Sequence, residues 1–181
     1  MEKPSHFANA QKYGLLMGAI LIIAYLVLYL VGVMDLETGE SGILGWILNY
    51  TISIGAVVMG IIAYKNANGN FLSIGDGVKQ GILIGLIGGF VYCIYNYIFL
   101  QFIEPELLEN MKDMAMQQAE QSGSVNEDSE DMVTKTMDIM LSPIVIAIMV
   151  VIGKFFLGLI VGFIAGAIMK NERPINLDDP I

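Results

Sequence analysis

The sequence predicts an all-α membrane protein that crosses a bilayer four times, and its composition gives the first indication. The chain has 181 residues, of which 55% are hydrophobic and only 15% are charged. Ordinary globular domains carry about a quarter charged residues, so this chain is depleted in charge. Its mean hydropathy is +0.66.

Four apolar runs supply the second observation, because each has the roughly 20 residues that a hydrocarbon layer of ~30 Å requires. The runs cover residues 14–34, 43–64, 81–102 and 143–169. The first is too long for the apolar core of a signal peptide and lacks a small-residue cleavage site before Asp35, so we expect a retained helix. Residues 1–181 are predicted to form one membrane domain.

The distribution of basic residues predicts the orientation. Lys and Arg in short loops mark the cytoplasmic face. The predicted side that holds both termini carries six of them, and the other side carries two, Lys112 and Lys135. Both termini are therefore expected in the cytoplasm.

The first two spans form a tight hairpin, because only a short acidic loop, 35–42, separates them. The following link contains the turn-forming sequence NANGN at 66–70. Ser73 stands three residues before Asp76, which is the spacing of a capping pair at the start of a helix. The third helix is thus predicted to begin near Ser73, about one turn before the membrane.

A longer acidic segment, 104–138, separates the third and fourth spans and holds ten of the chain's eighteen Asp and Glu residues. Pro105 suits the first turn of a helix. Apolar residues recur after it at helical spacing, which predicts an amphipathic outer helix. The sequence QSGSVNEDSED that follows is typical of a mobile loop. Residues 132–140 are predicted to be helical again.

An internal repeat relates the two halves. A shift of 67 residues lays KYGLLMGAILIIAY, Lys12–Tyr25, over KQGILIGLIGGFVY, Lys79–Tyr92, with coincident Lys, Gly, Gly and Tyr. The chain is therefore predicted to be a tandem of two helical hairpins in the same orientation. The alternative is convergence, since a basic residue, small residues and a tyrosine are common in inserted helices.

Glycines at four-residue spacing predict close helix packing, because small residues let helix backbones approach each other in lipid. The candidate packing residues are Gly14, Gly18, Gly81, Gly85, Gly89, Gly158, Gly162 and Gly166. Packing within one four-helix bundle is the favoured interpretation, and homodimerisation through one stripe is the alternative.

Polar residues inside the spans form a candidate intramembrane polar site, made of Lys154, Asn96, Tyr92, Tyr95, Tyr25 and Tyr29. Lys154 lies about 16 and 24 Å, at helical rise, from the two ends of its run. A lysine near mid-membrane costs roughly 2.5–3.5 kcal/mol on insertion scales. It can snorkel outward, bond neighbouring groups, be neutral, or handle an anion or a proton, and a structural role is favoured. Asn96 and the tyrosines are expected to form interfacial contacts or hydrogen bonds between helices, and a ligand role is the alternative.

Several function classes are excluded by what the sequence lacks. It has no catalytic or phosphate-binding motif, and the four predicted spans contain no Asp, Glu or His, so we expect neither an enzyme nor a cofactor. Cys93 is the one cysteine, so neither an intramolecular disulfide nor a cysteine-based metal site can form. His6 is expected to be a solvated terminal residue. Nucleic-acid binding is not expected, because the nine basic residues are scattered.

The run from LSIGDGVKQG to YNYIFLQFIEPELLE resembles a bacterial membrane family, domain of unknown function 4199. The matching positions are Leu72, Ser73, Gly75, Lys79, Gly81, Tyr92, Tyr95, Asn96, Glu104 and Pro105. Ile74 stands where the family pattern has an aromatic residue. The resemblance implies a four-helix protein of the bacterial inner membrane, without a known reaction, ligand or partner.

Two hypotheses of function remain. The first is an interaction or accessory module that sits in the lipid bilayer and binds a membrane protein or a second copy of itself. The alternative is a component of an oligomeric transporter for ions or small solutes, because one copy of four helices leaves little room for a pore.

Overall fold

A computed structural model describes residues 4–35, 38, 41–123 and 130–172 of the chain. These residues form six helices and no strand. The helices are α1 (His6–Leu30), α2 (Gly42–Ala67), α3 (Ile74–Ile98), α4 (Pro105–Gln121), α5 (Glu130–Met140) and α6 (Pro143–Ile168), and a π-helical turn (Phe99–Ile103) extends α3. Four of them, α1, α2, α3 with its extension, and α6, are long and apolar enough to cross a membrane. The predicted all-α class and the four apolar helices are confirmed.

Helix α1 differs at both ends from the apolar run 14–34. It begins at His6, because the side chain of Ser5 accepts a hydrogen bond from the amide of Ala8 at 3.3 Å and caps the helix. It ends at Leu30, since Gly32 adopts a φ of +69° and turns the chain. The amide of Val33 then bonds the carbonyl of Leu28 at 3.0 Å, so Met34 lies outside the helix.

The link from α2 to α3 follows the prediction. Helix α2 ends at Ala67, and Gly69 and Asn70 both take positive φ values, 68° and 66°. Ser73 and Asp76 then form a reciprocal capping box, with Asp76 N 3.0 Å from Ser73 Oγ and Ser73 N 3.1 Å from Asp76 Oδ2. The predicted turn and the predicted capping pair are both confirmed.

Helix α3 is the central element, because it contacts α1, α2 and α6. One end of the bundle holds the starts of α1 and α3 and the ends of α2 and α6, and we call it the N-terminal end. An antiparallel pair of hydrogen bonds between Leu72 and Asn171, at 2.8 and 2.9 Å, joins the start of α3 to the end of α6 there. The opposite end carries α4 and α5, and we call it the α4–α5 end.

Glycines place the backbones of α3 and α6 in direct contact, and we call this contact the glycine seam. It consists of Gly77, Gly81, Gly85 and Gly89 on α3, and of Lys154, Gly158, Gly162 and Gly166 on α6. A methyl group on Gly77 would stand 2.6 Å from the Cα of Gly166, and one on Gly89 would stand 2.9 Å from the Cβ of Lys154. No larger side chain fits between the two helices without displacing a backbone.

The glycines of α1 face the other side of α3. A methyl group on Gly14 would stand 2.7 Å from the Cβ of Ile87, and one on Gly18 would stand 2.6 Å from the Cβ of Val91. Both glycines are buried. Helix α3 is therefore approached closely by α1 and by α6.

Helix α4 closes one end of the bundle. Pro105 occupies its first turn, as predicted. Leu107 is buried in a small core with Met34, Phe99 and Leu100. Helix α5 confirms the predicted helix at 132–140 and is joined to α4 by an ion pair between Lys112 Nζ and Asp138 Oδ1, at 2.7 Å. Most of the predicted mobile loop, residues 124–129, lies outside the described residues.

The glycine seam predicts opposite effects for two alanine substitutions in α6. Gly158→Ala would drive its Cβ into the backbone oxygen of Gly81, whereas the matched control Gly153→Ala meets nothing within 4 Å. We expect Gly158→Ala to reduce the free energy of unfolding in detergent by about 1–3 kcal/mol, as overpacking does. Gly153→Ala should raise it by about 0.5–1 kcal/mol, because alanine is the better helix former. Equal stability of the two variants would contradict the seam.

Candidate functional site

Lys154 lies at the end of the glycine seam and is 6% exposed. Its side chain leaves α6 beside Gly89 and reaches α2. The ammonium donates hydrogen bonds to Asn49 Oδ1 and to Ser53 Oγ, both at 2.7 Å. Lys154 thus bonds α2 through two residues that the sequence analysis did not single out.

Helix α2 positions both acceptors by its periodicity. Asn49 and Ser53 are four residues apart, so their side chains lie one above the other on one face of the helix. The hydroxyl of Ser53 donates to the backbone carbonyl of Asn49 at 2.7 Å, which leaves its lone pairs available to the ammonium. Ser53 is completely buried. Single short polar residues carry little sequence signal, and this is why they were missed.

Two clefts adjoin this site. The first, of about 370 Å³, lies between α1, α2 and α3 and is lined by residues that include Tyr25, Trp46 and Asn49. The second, of about 550 Å³, lies mainly between α2 and α6, and Lys154 itself lines it. Asn49, Tyr50 and Tyr92 line both clefts. Asn49, which holds Lys154, therefore stands where the two clefts adjoin.

Three of the predicted tyrosines form one aromatic cluster between α1 and α3. The ring of Tyr25 stands edge-on to those of Tyr92, Tyr95 and Phe99, with centroids 6.3, 5.6 and 5.2 Å apart. Such edge-to-face pairs are favourable beyond their buried area. Among the described residues, the hydroxyl of Tyr95 is a buried polar atom without a hydrogen-bond partner.

Tyr29 and Asn96 lie apart from Lys154 in the hydrogen-bond network. The hydroxyl of Tyr29 bonds the carboxylate of Glu104, which joins α1 to the residue that precedes α4. Asn96 donates to the carbonyl of Tyr92 on its own helix, at 2.9 Å. This hydrogen bond stays within α3, so the described contacts do not link Asn96 to Lys154.

A second polar cluster occupies the N-terminal end of the bundle and centres on His6. The Nε2 atom of His6 is 3.2 Å from Asp76 Oδ1 and 2.9 Å from the hydroxyl of Tyr64. The rings of His6 and Tyr64 are stacked with centroids 4.3 Å apart. The expectation that His6 is a solvated terminal residue is therefore wrong, because it begins α1 and joins α1 to α2 and α3.

Two amides complete the cluster at His6. The Nε2 atom of Gln80 donates to the carbonyl of His6 at 3.1 Å. Asn9 Nδ2 donates to Gln80 Oε1 at 2.8 Å and to the carbonyl of Gly60 at 2.9 Å. The spacings of His6 with Asn9 and of Asp76 with Gln80 are helical and could have indicated this cluster, had α1 been predicted to begin at His6.

The two clusters differ in chemistry. The cluster at His6 pairs a titratable ring with a carboxylate. The site at Lys154 offers one ammonium with two neutral oxygen acceptors, and such a group can hold an anion. Among the described residues, no group of three His, Cys, Asp or Glu side chains is placed to hold a metal ion.

Comparison with protein families matches residues 12–171 to the family described as protein of unknown function (DUF4199). The chain belongs to this family. The resemblance noted in the sequence is thus confirmed. The match covers α2, α3 and α6 in full and α1 from Lys12 onward, and it includes Lys154, Asn49 and Ser53. No curated protein and no solved structure matches the chain.

The contacts of Lys154 predict a non-additive pair of substitutions. Ser53→Ala removes an acceptor from a buried ammonium, so we expect it to reduce the free energy of unfolding by about 1–3 kcal/mol. In a Lys154→Met background the ammonium is gone, and the same substitution should be nearly neutral.

Thermal or denaturant unfolding in detergent measures both effects. Thr51→Ala, at an exposed position of α2, is the matched control and should be neutral in both backgrounds. If Ser53→Ala lowers the free energy of unfolding equally in the unmodified protein and in the Lys154→Met background, the hydrogen bond between Lys154 and Ser53 is refuted.

Proposed function

We propose that the chain is a non-enzymatic interaction module of the bacterial inner membrane that binds another integral membrane protein. The observation that carries this proposal is the filled middle of the bundle, where α3 contacts α1, α2 and α6 and meets α6 backbone to backbone along the glycine seam. A single copy therefore offers no conduit along its axis.

The surface we assign to the interaction is on α5, outside the four spans. Met132, Ile139 and Met140 are 73, 65 and 56% exposed. Their spacing of seven and eight residues places them on one face of the helix. Large exposed apolar groups outside the bilayer favour a protein contact. This proposal includes the predicted amphipathic character of the outer segment. Helix α4 packs on the bundle through Leu107, and α5 presents its apolar face to the partner.

The orientation follows from the basic residues in the loops. We place the N-terminal end of the bundle in the cytoplasm and α4 and α5 on the opposite side of the membrane. The ion pair of α5 with α4, from Asp138 to Lys112, would then hold the proposed contact face outside.

The proposed evolutionary origin is a duplication of one helical hairpin. Helix α1 packs on α2, and α3 packs on α6, so each half of the chain contains a contacting pair. The coincident residues of Lys12–Tyr25 and Lys79–Tyr92 support the same origin. The second hairpin differs by its inserted α4 and α5, and this is where we place the interaction.

Transport by an oligomer is the second candidate, and one observation favours it. Lys154, a buried cation, lines one cleft, and its acceptor Asn49 lines both. A path would have to form between copies, because α3 and α6 are in backbone contact within one copy.

Site-specific photocrosslinking in intact cells tests the interaction proposal. A photoreactive residue at Ile139, which is 65% exposed on α5, should give a discrete protein adduct. The matched control is Ile23, which is 61% exposed on the spanning helix α1 and should label lipid only. An adduct of twice the chain's mass would identify a second copy as the partner.

The proposal fails if Ile139 gives the same lipid-only labelling as Ile23. That result would mean that α5 rests on the bilayer surface. Ion or solute flux through the purified protein in liposomes, abolished by Lys154→Met, would favour the transport candidate instead.

A further inference from the structure

The ammonium of Lys154 has donor capacity that the protein does not use. An ammonium carries three N–H donors. Among the described residues only two acceptors reach it, Asn49 Oδ1 and Ser53 Oγ, and both are neutral. No carboxylate within the described part of the chain forms an ion pair with Lys154. A buried cation ordinarily has a compensating charge, so this one is poised to receive an anion.

The clefts beside Lys154 are large enough to accommodate such an anion. The second cleft, of about 550 Å³, is lined by Lys154 together with apolar residues of α2 and α6 such as Ile54, Leu157 and Val161. Its volume lies within the range of sites for small molecules. The cleft thus carries one cation, and its walls are mainly apolar.

We propose that this cleft binds a hydrophobic carboxylic acid, with its carboxylate on Lys154 and its apolar body between α2 and α6. The charge balance selects a monoanion, because a single ammonium with two neutral partners compensates one negative charge. A doubly charged phosphate would leave an unpaired charge in a low-dielectric site.

Neighbouring polar groups add to the specificity for a carboxylate. Asn49 gives its oxygen to Lys154, so its amide N–H donors remain for a ligand at the point where the clefts adjoin. Tyr92 lines both clefts and adds an aromatic surface beside this point. The ammonium of Lys154 would donate a charge-assisted hydrogen bond to one carboxylate oxygen, and the amide of Asn49 would donate to the other.

The acid can arrive from two sources. The second cleft opens mainly between α2 and α6, which suits a fatty acid dissolved in the bilayer. The first cleft, of about 370 Å³ and lined by Tyr25 and Trp46, suits a small water-soluble acid. The apolar lining around Lys154 favours the fatty acid, and the experiment separates the two.

Binding is measured on the full chain in lipid nanodiscs with oleate, with its neutral analogue oleyl alcohol, and with benzoate. We expect oleate to bind the unmodified protein. Lys154→Met should weaken oleate binding roughly tenfold or more, the effect of one charge-assisted contact. The matched control Lys135→Met, which removes an exposed cation of α5, should leave binding unchanged.

The remaining outcomes are decisive. Benzoate binding with the same dependence on Lys154 would support the site and assign its ligand to the aqueous phase. Equal binding of oleate and oleyl alcohol, equal binding by Lys154→Met, or binding of neither acid would overturn the proposal. Asn49→Leu, which keeps the ammonium, should also weaken oleate binding, so the result does not depend on the folding of one variant.

This inference is independent of the proposed protein interaction. The carboxylate site lies among α2, α3 and α6, whereas the proposed contact face is on α5. Oleate can therefore bind even if crosslinking at Ile139 gives no protein adduct. Crosslinking at Ile139 can likewise succeed even if oleate does not bind.

Discussion

Backbone contact between α3 and α6 is the constraint from which the rest of the bundle follows. Within lipid there is no hydrophobic driving force between helices, so association depends on close packing and on hydrogen bonds. Glycines at four-residue spacing supply the packing here, from Gly77 and Gly166 at one end to Gly89 at the other. Because α3 meets α6 on one face and the small residues Gly14 and Gly18 of α1 on another, it becomes the axis of the molecule.

The position of Lys154 is a consequence of that seam. Gly85 and Gly89 make room for the carbonyl and the Cβ of Lys154, so its side chain lies inside the bundle. From there it reaches Asn49 and Ser53 on α2 and adds a polar link to the apolar packing. The seam removes any axial path between α3 and α6, while the looser contact of α2 leaves the clefts. The same arrangement is the basis on which we propose binding rather than conduction by one copy.

Much of this fold could be predicted, because its determinants are local in sequence. The apolar lengths predicted four helices, Ser73 and Asp76 predicted the start of α3, and Pro105 predicted the start of α4. The partners of Lys154 could not be predicted, since residues 101 and 105 positions away are brought together only by helix packing. The same holds for His6, whose partners Tyr64 and Asp76 are on two other helices. Hydropathy reports where a helix lies in the chain, and it carries no information about which polar residues share a face with another helix.

Solid-state NMR of the protein in bilayers, with glycine labelled at Cα, measures the seam directly. The structure predicts cross-peaks between helices, from Gly81 to Gly158 and Gly162, and from Gly85 to Gly158, because their backbones are in contact. Cross-peaks between these glycines require no substitution that could itself disturb the packing. Their absence, with glycine contacts only within each helix, would contradict the account.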